Sequence, residues 1–289
     1  MAEQAVELYL DLMKRCLTRT IFPEGLQPWS PVGGGGVKWA MSRPIRDVLN
    51  KRGVVLAAPS PVVPGRRIDG RDWPSEAETM IGMKRLDNIQ FCVTDAIQRG
   101  VPGDLIETGV WRGGATIFMR AILAALGERQ RTVWVADSFE GLPKPDPEHY
   151  PLDAGDDHWE QDPLKVPLDR VKANFARYGL LDDQVSFLKG WFRDTLPTAP
   201  IEQLAVTRLD GDMYESTMDA LQALYPKLSA GGYLIVDDYG NEGLAGCKAA
   251  VDDYRRDRGI TDPIEQVDWT GIFWKKTAWT CSPRTGSAS

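Results

Sequence analysis

Three carboxylates stand where two apolar runs end. Leu204–Leu209 leads into Asp210-Gly211-Asp212-Met213, and Tyr233–Val236 leads into Asp237-Asp238. If these runs are neighbouring strands, Asp210, Asp237 and Asp238 converge. Unpaired carboxylates so close repel and raise one another's pKa unless a cation sits among them. A hard divalent ion with oxygen ligands, Mg²⁺ above all, resolves the conflict. Such an ion can hold two substrate oxygens, acidify a hydroxyl and orient it for in-line attack. Asp210 is the first candidate to accept the released proton, with Asp212 in a supporting role. In the bland alternative Asp210 caps a helix and Asp237-Asp238 form a solvated turn.

A second constellation lies upstream. Asp104-Leu-Ile-Glu107-Thr108-Gly109-Val110-Trp111-Arg-Gly113-Gly114-Ala115 places Glu107 at a strand end and glycines in the turn to a helix. Glycines there let a ligand approach the backbone. The spacing E-x-G-x-x-x-G-G differs from the dinucleotide pattern, whose pyrophosphate needs a helix N-terminus beneath it. An acidic Glu107 suits a cationic, methionine-derived cofactor instead. About thirty residues on, the next strand ends in Asp137-Ser138, where a carboxylate can take both ribose hydroxyls. Strand, glycines, helix, strand and Asp together point to nucleoside binding.

These residues need elements to hold them. After Pro74 the pattern predicts helix 75–99, strand 104–107, helix 114–126, strand 132–136, helix 168–178, and strands 185–189 and 204–209. Helix 217–228, strand 232–236 and helix 243–258 follow, and 264–267 with 271–275 would finish the sheet as an antiparallel edge. The alternation predicts an α/β, doubly wound, mostly parallel Rossmann-like sheet. Residues 75–278 form its domain. Residues 1–74 read as an N-terminal helical and loop extension, with an amphipathic helix 5–17. The Pro-rich stretch 22–64, with its Gly33–Gly36 run and a short helix at 42–51, reads as a lid over the site. Residues 279–289 read as a flexible tail. His149 and His158 lie in the polar loop 141–166 and read as solvated, with His158 kept as a possible site residue, and Asp156-Asp157 read as a turn. Trp73 is either packing or a contact over the ligand.

Composition narrows the classes. With 289 residues, 43% of them hydrophobic, the chain can bury a full core. A net charge of -7 leaves no basic surplus for phosphates, so nucleic-acid partners are disfavoured. Cys16, Cys92, Cys247 and Cys281 form no CxxC pair and read as free thiols. No membrane-spanning run or secretory leader is apparent, so the expected location is the cytoplasm.

The motifs together resemble class I S-adenosylmethionine methyltransferases, and within them the macrocin O-methyltransferase family. The resemblance rests on GRDWPSEAETMIGMKRLDNIQ, LIETGVWRGGATIFMR, ADSFEGLP, GWFRDTLP, LDGDMYESTMDALQALYPKLSAGGYLIVDDYG and CKAAVDDYR. It runs from Gly70 to Lys276, with LYLDLMKRCLTRTIF near the start. It implies methylation of a sugar hydroxyl on a macrolide or aminocoumarin type of glycoside in antibiotic biosynthesis. Glu107, Thr108, Gly109, Val110, Trp111 and Gly113 would surround the methionine part and ribose of S-adenosylmethionine. Asp137 and Ser138 would take the ribose and adenosine edge, with Met80 and Trp191 nearby. Asp210, Asp237 and Asp238 would hold Mg²⁺. The family also implies a homodimer or higher homo-oligomer. The chain is expected to depart from the family by an insertion at 22–64. Three rivals remain: a catechol-type phenolic methyltransferase, a nicotinamide-dependent sugar oxidoreductase and a non-catalytic sugar- or nucleoside-binding subunit. The chain lacks the dinucleotide glycine spacing and the Tyr-x-x-x-Lys pair that the oxidoreductase would need, and a binding subunit has no use for a clustered, metal-ready charge.

Overall fold

The structure, a computed structural model, describes residues 2–21, 26–28, 44–45, 47–49, 51–54, 57–59 and 64–277. The amphipathic N-terminal segment is helix α1 (Ala2–Leu17). Two short strands, β1 (Leu26–Pro28) and β2 (Ala57–Pro59), pair antiparallel, and α2 covers Pro64–Ile68. Most of the expected lid and the tail from residue 278 lie outside the described residues, as does Cys281.

The main sheet is assembled from β3 (Asp104–Thr108), β4 (Val133–Asp137), β5 (Val185–Lys189), β6 (Leu204–Leu209), β7 (Leu228–Val236), β8 (Glu265–Gln266) and β9 (Ile272–Lys275). Its order is β5-β4-β3-β6-β7-β9-β8. The first five are parallel, and β9 runs antiparallel between β7 and β8. The doubly wound expectation therefore holds, and the last strand enters the sheet inside its two-residue predecessor. Adjacent strand residues serve opposite cores. Leu105 packs in the cluster of α1, α3 (Gly82–Gln98) and α4 (Gly114–Ala125). Ile106 packs in that of α6 (Tyr214–Leu224) and α7 (Ala245–Arg258). On the first face also lies α5 (Leu168–Arg177), through Val171 and Phe175.

Two helix starts differ from expectation, and both bear on the site. The helix predicted from Ser75 begins only at Gly82. Residues 78 and 79 send their N–H groups to the Leu17 carbonyl at 3.0 and 3.3 Å, and the Glu78 carbonyl accepts from Gly114 N. Their hydrogen bonds are thus spent on α1 and α4, and the segment becomes a wall rather than a helical turn. The buried Glu78 side chain accepts from Arg177 and Tyr178 on the end of α5.

The helix predicted from Thr217 begins at Tyr214 instead. Its cap comes from 61 residues upstream: the Asp153 carboxylate accepts from Tyr214 N at 2.7 Å and Glu215 N at 3.1 Å. Replacing a capping carboxylate typically costs about 1–2 kcal/mol. Asp153→Ala should therefore lower the melting midpoint by roughly 2–8 °C, with Asp153→Asn recovering part of it. An unchanged midpoint for the alanine variant would deny Asp153 the cap.

Candidate active site

A cavity of about 770 Å³ opens beyond the carboxyl ends of β3, β4, β6 and β7, where ligands bind in doubly wound sheets. Its wall includes Met80, Glu107, Gly109, Val110 and Trp111 from the expected cofactor set, together with Asp137, Ser138 and Trp191. Asp210, Asp237 and Asp238 lie on the same wall.

Thr108 and Gly113 do not reach it. Thr108 is fully buried and its carbonyl accepts from Asp210 N at 2.9 Å. Gly113 starts α4 with φ 84, and Val171 and Phe175 occupy the space before it. Neither lines the cavity: Thr108 lies behind it with its Oγ1 buried and without a hydrogen-bond partner, and the space before Gly113 is filled. Gly109, at φ 79, passes so close to the Asp210 carbonyl that any Cβ would overlap it. Glycine is required there.

Asp137 ties the loops after β3 and β4 together. Its Oδ2 accepts from Val110 N and its Oδ1 from Phe139 N, each at 2.7 Å. Burial raises its pKa, and the backbone N–H donors of Phe139, Val110 and Trp111 oppose that rise. The Ser138 hydroxyl donates to Gly141 O at 2.6 Å and accepts from Glu140 N at 2.9 Å, so it is committed to its own turn. Trp111, Phe139 and Asp212 take left-handed φ values of 47, 58 and 58 in the loops after β3, β4 and β6. Such backbone is unfavourable for non-glycine residues by about 1–2 kcal/mol each, and it gathers here where a ligand would be held.

The ligand oxygens of Asp210, Asp237 and Asp238 lie within 4.8 Å of one another. They converge as expected, yet Asp210 and Asp237 are not unpaired. Arg208 of β6, its side chain only 1% exposed, donates to Glu107, to Asp237 and, at 2.9 Å, to Asp210 Oδ2. Arg85 of α3 donates to the other oxygen of Asp237, to Asp268 at 2.9 Å and to Thr270 Oγ1 at 2.5 Å. Two guanidiniums therefore face Glu107, Asp210, Asp212, Asp237, Asp238 and Asp268, and negative charge remains in excess. Burial first, then the neighbouring carboxylates, pushes Asp210 and Asp238 well above the carboxylate range. Asp212 is raised to about 7, again mainly by burial. Burial likewise lifts Glu107 to about 8 against the pull of Arg208. Asp238 Oδ2 and Glu107 Oε2 are buried with no hydrogen-bond partner. A divalent ion at Asp238 and Asp210, and an ammonium at Glu107, fit these two orphaned oxygens.

A pH dependence follows. Glu107 and Asp212 have ordinary values of 4.5 and 3.8 and folded values of about 8 and 7. The folded chain keeps these protons after the unfolded chain has lost them, so their contribution to stability disappears as pH rises through this window. In EDTA the melting midpoint should fall between pH 5 and 8, Glu107→Gln should flatten that fall, and Mg²⁺ at pH 8 should reverse it. A midpoint indifferent to both pH and Mg²⁺ would contradict this electrostatic picture.

Other residues find their places. His158 lines the cavity, its Nδ1 2.9 Å from Asp156 Oδ1, whereas His149 pairs with Asp146 away from it. Trp73, half exposed, stands on the cavity wall rather than in the core. Arg85, Arg208, Glu78 and Asp153 were not anticipated. Arg208 carried a usable signal: a charged residue inside Leu-Ala-Val-Thr-Arg-Leu, a strand buried on both faces, must be paired there.

A doubly wound sheet of this order with such a cavity defines a class I methyltransferase fold. The chain belongs to the macrocin O-methyltransferase family: the family described as Macrocin-O-methyltransferase (TylF) matches residues 6–276. It is 51% identical over 279 residues to the 8-demethyl-8-(2,3-dimethoxy-alpha-L-rhamnosyl)-tetracenomycin-C 4'-O-methyltransferase of Streptomyces olivaceus, covering 96% of each chain. It is 47% identical to the mycinamicin III 3''-O-methyltransferase of Micromonospora griseorubida, covering 94% of this chain and 98% of the relative. The solved structure of the O-methyltransferase NovP superposes with a TM-score of 0.79 at 46% identity, covering 94% of this chain and all of that one. The expected insertion at 22–64 falls mostly on residues outside those described.

Proposed function

We propose that the protein is a Mg²⁺-dependent O-methyltransferase that uses S-adenosylmethionine to methylate a sugar hydroxyl of a glycosylated natural product. The observation that carries this reading is the cluster of half-buried Asp210 with buried Asp237 and Asp238, sharing one cavity with Glu107 and Gly109 of the turn after β3. The relatives' activities on glycosylated antibiotics support the substrate class and favour it over a free phenol. Family membership removes the nicotinamide enzyme from contention.

When bound, the ion supplies charge that acidifies a hydroxyl and the sulfonium cofactor supplies the methyl group. Asp210 and Asp238 would hold the ion, with Asp237 beside them fixed by guanidiniums at both oxygens. Glu107 Oε2 would receive the cofactor's ammonium, while Met80, Trp111 and Trp191 would keep water from its apolar parts. Asp212, on the wall beside Asp210, would accept the substrate proton in place of Asp210, which Arg208 already engages.

No described helix is long and apolar enough to cross a membrane. A cytoplasmic homodimer or higher homo-oligomer acting on a small glycoside, with no nucleic-acid partner, completes the reading. Calorimetry of S-adenosylhomocysteine with and without Mg²⁺, followed by transfer assays on glycosides with EDTA as control, tests it. EDTA-sensitive transfer to a sugar hydroxyl is expected. Absence of cofactor binding, or transfer unaffected by EDTA, would overturn the donor or the metal respectively.

A further inference from the structure

We propose that the outer wall of the cavity binds an anionic group joined to a planar ring on the acceptor, beyond the sugar, through Arg66 and Arg71 flanked by Trp73 and Trp269. The inference rests on the sugar-methylating reading above and names the rest of the substrate.

The cavity is electrically two-sided. Its floor carries the carboxylates, while Arg66 and Arg71 stand on its wall with Trp73 and Trp269. Other arginines on the wall are neutralised: Arg85 by Asp237 and Asp268, and Arg193 by Glu215 at 3.0 Å. Asp72, the carboxylate beside Arg71, is taken by two bonds from Arg67 at 2.9 and 2.8 Å. Among the described residues no carboxylate pairs with Arg66 or Arg71.

Both are nonetheless held in place. Arg66 donates through Nε and Nη2 to the Arg71 carbonyl at 3.1 and 2.8 Å. The Arg71 guanidinium lies 4.6 Å from the centre of the Trp269 ring, and the Trp269 indole N–H donates to the Asp69 carbonyl at 3.1 Å. Positioned cations that keep their full charge are suited to an anion, which a fork-shaped guanidinium holds with paired hydrogen bonds. Trp73 is 50% exposed, an apolar face on which a planar ring can stack, while the Trp269 ring, with the Arg71 and Arg85 guanidiniums 4.6 and 5.7 Å from its centre, fixes the cation beside it. A cationic, amine-bearing group at this position would be repelled.

An ionised aryl aglycone and the diphosphate and base of a nucleotide sugar present this same chemistry. The test uses the holoenzyme with Mg²⁺ and S-adenosylmethionine on 4-carboxyphenyl, phenyl and 4-(aminomethyl)phenyl rhamnosides, and on thymidine diphosphate rhamnose. One or both anionic acceptors should exceed the neutral one in kcat/KM by about tenfold, through KM, the amine should fall below it, and salt should shrink the spread. Whichever anion is preferred identifies the source. In Arg66→Gln/Arg71→Gln the ratio of charged to neutral acceptor should approach one. Equal use of all four by the unaltered enzyme, or a preference for the amine, overturns this site alone. Transfer to none of them overturns the sugar-methylating reading and this site with it.

Discussion

Asp210→Asn is expected to slow methyl transfer by about 10³-fold or more, the scale on which a removed charge-stabilising group acts, while S-adenosylhomocysteine binds nearly as before. The asparagine keeps the shape and one oxygen, but it loses the anionic charge required of an ion ligand. Arg208 retains Glu107 and Asp237 as partners, so the floor of the cavity should persist. Single-turnover transfer measured across Mg²⁺ concentrations, beside calorimetry of the cofactor product, checks both halves. Full turnover by the variant would remove Asp210 as an essential ligand. Loss of cofactor binding together with activity would show that the two parts of the cavity are not separable at this residue.

Arg208→Met should produce the largest loss of stability of any single change in the site. The guanidinium is buried among Glu107, Asp210 and Asp237. Removing one member of a buried ion pair costs about 3–5 kcal/mol, because the surviving charge is left in a poorly solvating interior. For a domain of this size that corresponds to a fall of roughly 6–20 °C in melting midpoint. The deficit should be worst at pH 8 and smaller at pH 6. Without the arginine the folded chain must protonate these carboxyls, and that escape weakens as pH rises. Arg208→Lys keeps the charge but not the fork and should lie between. A methionine variant as stable as the parent at pH 8 would mean that the carboxylates are relieved in some other way.

Legibility in the sequence followed the range of the interactions involved. The strand and helix alternation, the turn at Gly109 and the carboxylates Asp210, Asp237 and Asp238 could be read because each is a local pattern, and neighbouring strand ends bring the carboxylates together. The pairing of those carboxylates could not be read, since Arg85 and Arg208 reach Asp237 from 152 and 29 residues away. The same reason explains the helix starts. Nothing near Tyr214 announces a cap supplied by Asp153, and nothing near Ser75 shows that the next backbone donors are taken by Leu17. Thr108 and Gly113 belong to the glycine-turn motif, but their neighbours, the loop after β6 and helix α5, are set by tertiary packing and leave no local mark.

The carbonyl of Leu17 has a reach beyond its own helix. It anchors residues 78 and 79, which stand directly before Met80 and pass their order to the first turn of α4 through Gly114. Leu10, Met13 and Leu17 themselves belong to the same core as α3 and α4. An N-terminal deletion through α1 should therefore loosen the stretch of cavity wall that Thr79 and Met80 supply, and trimming the protein back to its regular strand and helix alternation would strip that wall of its anchor.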